Sequence, residues 1–249
     1  MTEIETRPPR PGRRKSFYPL ESNPELFTKL IHDLGVSPSL AFYDVLSIDD
    51  DDLLAITPRP CHALVLVFIT SAVYEKQKAE AEARREPYNG SGEDEPVVWY
   101  KQTIYNACGL YGILHGVSNG PARAYIKDDS IMGQILKEGT PQNPDGRARV
   151  LENNPDLERA HTAIALQGQT APPEHPDDDV GNHYTCFVRS QKNGHLYELD
   201  GDKKGPIDHG LVMGAGDDML SPAVLKFVRE YLQRDGNLQF GLLALCEAQ

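Results

Sequence analysis

Apolar positions recur along this chain at helical spacing in some stretches and as short continuous runs in others, which outlines a mixed fold. Asn23-Pro24-Glu25 reads as a helix start, with Asn23 as the cap and Pro24 in the first helical position. Phe27, Leu30, Ile31 and Leu34 follow at helical spacing, and Gly35 supplies the stop. Phe42–Leu46 predicts a strand and Asp49–Leu54 a short acidic helix, before Pro58-Arg59-Pro60 breaks the chain ahead of a buried strand at 61–69. Residues 71–96, rich in Glu, Lys, Ala and Arg, predict a charged helix followed by a surface loop around Tyr88–Gly92. A second irregular stretch is expected from about 152 to 182, marked by Gly168, Pro172, Pro173, Pro176 and an acidic run. Such stretches beyond ~12–15 residues inside a compact domain are usually functional or disordered. Strands at 183–189 and 195–200, a helix at 217–234 and a strand at 239–245 complete one α/β or α+β domain, without repeats or an internal linker.

Composition narrows the class. At 249 residues with 39% hydrophobic content, the chain can bury a substantial core. No apolar run approaches the ~20 residues that span a bilayer, so no membrane association is expected. No apolar signal core follows the basic N-terminal residues, which predicts a cytoplasmic protein, with the nucleus as a second location. Four cysteines without a CxxC pair argue against both a disulfide framework and a zinc site, so neither metal nor cofactor is expected. The formal charge is −12, yet residues 1–15 carry Arg7, Arg10, Arg13, Arg14 and Lys15 against two acids. The proline-rich segment 1–15 therefore reads as a disordered basic tail, and residues 16–249 as an acidic domain. That field favours a basic partner over nucleic acid.

The segment with the clearest chemistry is Gln102-Thr-Ile-Tyr-Asn-Ala-Cys108-Gly-Leu-Tyr-Gly-Ile-Leu-His115. Its pattern turns helical after Asn106, with Leu110, Ile113, Leu114 and Val117 on one broad face, which puts Cys108 in a first helical turn. Unpaired amides and the macrodipole there favour an anion and lower a thiol pKa. Asn106 is expected to cap the turn, and Gly109 to leave room for a substrate backbone. A structural cysteine at a helix start fits the spacing equally well.

A thiolate nucleophile needs a basic partner, and eight histidines compete for that place. His115 lies two turns on, ~10.5 Å along the same helix, out of reach of Cys108. His32 belongs to an early helix, His62 to the start of a core strand, and His161 and His175 to the irregular stretch. His209 reads as a loop residue. His183 opens a strand right after that stretch, a place for an exposed ring at a cleft edge. Asp200, at the end of the next strand, can orient it. A tight turn at Asn193-Gly194 would set His183 opposite Lys204, whereas a wider loop centred between Gln191 and Lys192 would set it directly opposite Asp200, with Cα atoms ~4.5–5.5 Å apart. His195 and Asp200 point to opposite faces of a regular strand. A Gln102 amide could donate to the oxyanion formed when a thiolate attacks a carbonyl, with the Cys108 amide as a second donor.

Several blocks carry a resemblance to a known family: Pro19–Pro24, Pro58–Pro60, Lys101–Gly109, Leu151–Asn153, Gln167–Thr170 and Asn193–Gly201. With Gln-x5-Cys-Gly, a downstream His and Leu-Tyr-Glu-Leu-Asp-Gly, the chain resembles the small, single-domain ubiquitin carboxyl-terminal hydrolases over about residues 16–245. The resemblance implies an α+β fold: a papain-like antiparallel central sheet flanked by helices, with a knotted backbone. It implies a cysteine-type deubiquitinase that acts as a monomer, with ubiquitin or a related ubiquitin-like protein as partner. It assigns Cys108 as nucleophile, His183 as general base and acid, Asp200 as the residue orienting His183, and Gln102 as oxyanion donor. It further makes 152–182 a crossover segment above the cleft that favours small leaving groups. Pro19, Leu20, Glu21, Ser22 and Asn23 become a channel for the ubiquitin tail, where Glu21 can pair with the tail's arginines. The interval from His183 to Asp200 is about two residues longer than the family pattern.

Overall fold

A computed structural model describes residues 15–178, 180–214, 216–234 and 239–249. The expected basic tail lies outside these residues except for Lys15, which is not tail: its ammonium binds the Glu152 carbonyl and the Glu158 carboxylate. In chain order the elements are β1 (Lys15–Ser16), α1 (Pro24–Asp33), β2 (Leu40–Asp44), α2 (Asp51–Leu54), β3 (Cys61–Ile69), α3 (Ala72–Ala83) and β4 (Ile104–Tyr105). Then come α4 (Cys108–Ser118), a 3-10 turn (Gly120–Tyr125), α5 (Ile131–Gly139), α6 (Pro144–Glu152), α7 (Pro155–Ala165), β5 (Asn182–Arg189), β6 (His195–Leu199), β7 (Ile207–Val212), α8 (Pro222–Arg234) and β8 (Phe240–Glu247).

Six strands form one sheet in the order β2-β8-β3-β5-β6-β7, with every neighbouring pair antiparallel. Both faces are covered. Ala63, Val65, Tyr184, Cys186, Leu243 and Leu245 pack against α1 and α4, while Leu64, Leu66, Phe187, Leu242 and Ala244 pack against α8. Two covered faces explain why β3 and β8 read as continuous apolar runs rather than alternating ones. The architecture is the α+β arrangement that the resemblance implies.

Helix α4 is the centre of the molecule. The sequence suggests one apolar face, but all its residues are buried, as in a helix that is apolar all round. Glycines let it sit close to the sheet: a Cβ on Gly112 would lie 3.1 Å from Val65 Cγ1, and one on Gly116 would lie 3.3 Å from the Ala63 Cβ.

The chain departs from the expected elements in several places. The stretch 152–182 is not wholly irregular, because α7 occupies most of its first half. Asn154-Pro155 repeats the Asn23-Pro24 start signal, with Asn154 accepting from the Leu157 amide at 2.9 Å, and Leu157, His161 and Ile164 form the buried stripe. His161 is thus a core residue whose Nε2 lies 2.8 Å from the Tyr18 carbonyl. The strand expected at 42–46 is Leu40–Asp44, in register with β8, and Leu46 is exposed. Helix α8 starts at Pro222 rather than 217, because the preceding turn is tied to β3: Asp218 accepts from the Cys61 amide and the Met219 amide donates to the Cys61 carbonyl. Finally, His209 lies in edge strand β7, with Nε2 3.0 Å from Glu198.

Candidate active site

Cys108 is the first residue of α4, and no side chain caps that helix. Asn106 is not the cap expected from the sequence. Its backbone turns into the left-handed region, at φ 55°, and its carboxamide points away to donate to the Pro176 and Asp178 carbonyls at 2.8 and 2.7 Å. The first turn of α4 therefore presents its positive end at the Cys108 thiol without a competing side-chain acceptor. Cys108 opens onto a cleft of about 500 Å³, and its Sγ lies 4.0 Å from the carbonyl oxygen of Asn182, the residue before His183. The other cysteines, Cys61, Cys186 and Cys246, are buried, unlinked residues of β3, β5 and β8. Burial pushes the Cys61 and Cys186 thiols up, so these sulfurs stay protonated and inert.

His183 Nε2 lies 2.9 Å from Asp200 Oδ2. The ring is not exposed at a cleft edge as expected: it is 3% exposed, packed edge-on against Phe68 at 5.8 Å between centroids and against Tyr74 at 6.4 Å. The β5–β6 register falls between the two alternatives weighed above. Cys186 pairs with Leu199, so continuing the ladder sets Thr185 opposite Asp200 and makes His183 its diagonal neighbour on the same face. The longer hairpin interval is thus compatible with the His–Asp contact.

The acid is held from several sides. Its Oδ1 accepts from the Asp202 amide at 2.8 Å, and its carbonyl accepts from Trp99 Nε1 at 3.0 Å. Burial alone would raise the Asp200 carboxyl, but the His183 ring first, then Lys203 and Lys78, hold it well below the usual carboxylate range. Behind it, buried Glu198 meets Lys203, His209 and Tyr231, and its contacts with Lys203 and His209 bring its carboxyl down to about 2 against the opposing effect of burial. Gly201 lets the chain around Gln102 close on this corner. The Gln102 amide donates to the Gly201 carbonyl at 2.7 Å, and a Cβ on Gly201 would lie 2.8 Å from the Gln102 Cβ. The Gln102 side chain is buried, and its Nε2 donates to the Ile104 carbonyl at 3.1 Å.

Pro19, Leu20, Glu21 and Ser22 line the cleft. Asn23 does not, because its side chain caps α1 through the Glu25 and Leu26 amides. Leu20 fills the space beside Gly109 that the sequence suggested for substrate backbone, with its Cβ 3.2 Å from where a Gly109 Cβ would stand, and its carbonyl accepts from Tyr184 Oη at 3.0 Å. From the irregular segment after α7, Gly168, Thr170, Ala171, Pro172, Pro173 and Val180 contribute to the lining. Glu21 accepts from the Thr170 amide at 2.8 Å. The opposite wall, Ile69 and Phe240, carried no signal in the sequence beyond their place at strand ends. Among the described residues no His, Cys, Asp or Glu cluster is arranged to hold a metal ion, and no helix is long and apolar enough to cross a membrane.

The chain is similar to known proteins in fold and in sequence. The fold is shared with the UCH37 catalytic domain of Trichinella spiralis, solved bound to ubiquitin vinyl methyl ester, at a TM-score of 0.69 and 21% identity over 95% of this chain and 97% of that one. Human ubiquitin carboxyl-terminal hydrolase isozyme L1 is 35% identical over 92% of this chain and 98% of its own length. The Drosophila melanogaster ubiquitin carboxyl-terminal hydrolase is 37% identical over 93% and 97%. The sequence pattern described as ubiquitin carboxyl-terminal hydrolase, family 1, matches residues 17–233. The chain belongs to that family of ubiquitin carboxyl-terminal hydrolases.

Proposed function

We propose that Cys108, His183 and Asp200 are the groups through which this ubiquitin hydrolase cleaves bonds to the C-terminal glycine of ubiquitin. The observation that carries the assignment is the buried 2.9 Å contact between His183 Nε2 and Asp200, beside a cleft whose floor is the helix-heading Cys108. With Nε2 turned to the acid, Nδ1 is the nitrogen that exchanges a proton with the thiol. The Cys108 thiolate attacks the glycine carbonyl, forming a carbon–sulfur bond and an oxyanion. Protonated His183 then delivers its proton to the leaving amine or thiol as that bond breaks, which leaves a thioester. Water, deprotonated by His183, attacks the thioester, and the Cys108 sulfur departs to regenerate the starting state while ubiquitin leaves as a carboxylate. Asp200 stays ionised throughout and stabilises the imidazolium. The Cys108 amide and the Gln102 carboxamide serve the oxyanion; one Gln102 Nε2 hydrogen is engaged with Ile104, and the second supplies the donor.

The channel at Pro19–Ser22 takes the flexible ubiquitin tail, and Glu21 meets its guanidinium groups. A nucleophile that must stay reduced suits the cytoplasm or nucleus. The experiment is reaction with ubiquitin carrying a C-terminal electrophile, followed by mapping of the modified residue. Label on Cys108, together with loss of fluorogenic ubiquitin cleavage by at least about 10⁴-fold in Cys108→Ala, is the expected result. Label on another cysteine, or cleavage that persists in Cys108→Ala, overturns the assignment.

A further inference from the structure

We propose that Asn106 is a positioning residue: its carboxamide ties the descending limb of the crossover segment to the backbone entering α4 and so limits the size of leaving group that reaches Cys108. The inference rests on the hydrolase reading for its consequence, though the tether itself does not.

Two requirements meet at position 106. The backbone sits at φ 55°, which among the common residues only Gly, Asn and Asp adopt at low cost. The side chain must also give two donors, because Pro176 and Asp178 each offer a carbonyl oxygen at hydrogen-bond distance from the one nitrogen. Glycine has no donor there, and an ionised Asp has only acceptors, which would face two carbonyl oxygens. Asparagine meets both conditions. The acceptors belong to a tight turn closed by the His175 amide on Asp178 Oδ2, at 2.9 Å, and by the Asp178 amide on the His175 carbonyl, at 3.1 Å. Asn106 is 8% exposed and these bonds are partly buried, whereas the Glu21–Thr170 bond on the ascending limb is exposed. Only Ala107 separates Asn106 from the nucleophile. A segment pinned so close to Cys108 keeps the opening narrow on that side, and releasing it widens the passage without altering the triad.

Two variants separate the tether from the backbone requirement. Asn106→Gly keeps the left-handed backbone and deletes both donors, while Asn106→Asp keeps the shape and replaces donors with acceptors. Hydrogen exchange is followed over residues 168–178 with no ubiquitin present, and kcat/KM is measured for ubiquitin joined to a short peptide and to a folded protein. Both variants should lose protection in 168–178, and the ratio of folded to short adduct cleaved should rise by about tenfold, as expected for releasing two hydrogen bonds. Unchanged exchange in both variants overturns the tether. Faster exchange with an unchanged ratio overturns its role in leaving-group selection. Should the wild-type protein cleave neither adduct, the hydrolase reading fails, yet exchange still decides the tether. If Asn106→Gly does not fold, Asn106→Asp alone carries the comparison.

Discussion

The floor of the cleft and the irregular segment that lines its mouth are built on opposite terms. The floor consists of α4, β5 and β6, where Cys108, His183 and Asp200 are all at least nine-tenths buried and each stands on a regular element or at its end. Residues 166–178, 180 and 181 have no regular structure and are largely exposed, with Glu21 and Asn106 as side-chain anchors. Chemistry that depends on angstrom-scale geometry sits where packing fixes rotamers, and access is controlled where a few hydrogen bonds can be made and broken.

The largest test of that division falls on the floor. Asp200→Asn keeps size and shape but removes the charge that, on the proposed reading, orients and stabilises the His183 imidazolium. The cleavage rate should fall by ~10²–10⁴-fold, read with fluorogenic ubiquitin. A loss of only a few fold would mean that Asp200 does not play this part.

Stability should divide along the same line. Leu114 is fully buried in α4, so Leu114→Ala is expected to cost about 2–5 kcal/mol. Pro172 is exposed on the crossover, and Pro172→Ala should stay within about 0.5 kcal/mol. Denaturant midpoints of the two variants measure the contrast directly, and similar costs at both sites would erase it.

The buried core also carries an acid-sensitive element. Burial lowers the pKa of both His115 and His161 to about 4, against ~6.5 in an unfolded chain. Each ring is neutral in the fold: His115 Nε2 accepts from the Tyr100 amide, and His161 Nε2 lies against the Tyr18 carbonyl. A histidine with a depressed folded pKa stabilises fully above ~6.5, and that contribution is lost as pH falls toward 4, because the unfolded chain binds the proton first. The expected loss is about 2 kcal/mol per histidine by pH 5. Asp200 and Glu198 are depressed carboxylates, so their contribution is lost only below the unfolded carboxylate range, near pH 4. Unfolding free energies at pH 7.5, 6 and 5 isolate the histidines, and a flat profile across that range would refute the assignment.

The same division governed what the chain's pattern disclosed. Long apolar runs and cap signals located β3, α1 and the two strands of the His183 hairpin, because burial and helix starts act locally. The helix start at Cys108 and the shared face of His183 and Asp200 were legible because helix starts and strand parity are local, whereas their roles came only with the family resemblance. Register was not: the observed pairing falls midway between the two turns considered, and the contact survives because diagonal neighbours share a face. The Asn154-Pro155 start was readable and was overshadowed by the prolines that follow it. Asn106 was not readable. Its backbone angle and its partners seventy residues away depend on where the crossover lands.

The smallest expected effect concerns the point where floor and crossover compete for one group. Glu21 Oε2 accepts from the Thr170 amide in the free protein, and on the proposed reading the same carboxylate meets a guanidinium of the ubiquitin tail. A carboxylate can serve both, since its two oxygens offer several acceptor positions. Glu21→Gln retains a carbonyl oxygen for Thr170 and loses the charge, so the crossover should keep its hydrogen-exchange protection while KM for ubiquitin substrates rises roughly 3–10-fold and kcat holds. The penalty should shrink with added salt, because the lost interaction is between charges near the surface. Glu21→Ala removes the acceptor as well, and should add faster exchange around Thr170 to the same rise in KM. If Glu21→Gln and Glu21→Ala loosen the crossover equally, the contact with Thr170 depends on charge rather than on an available lone pair, and Glu21 belongs to the crossover more than to the channel.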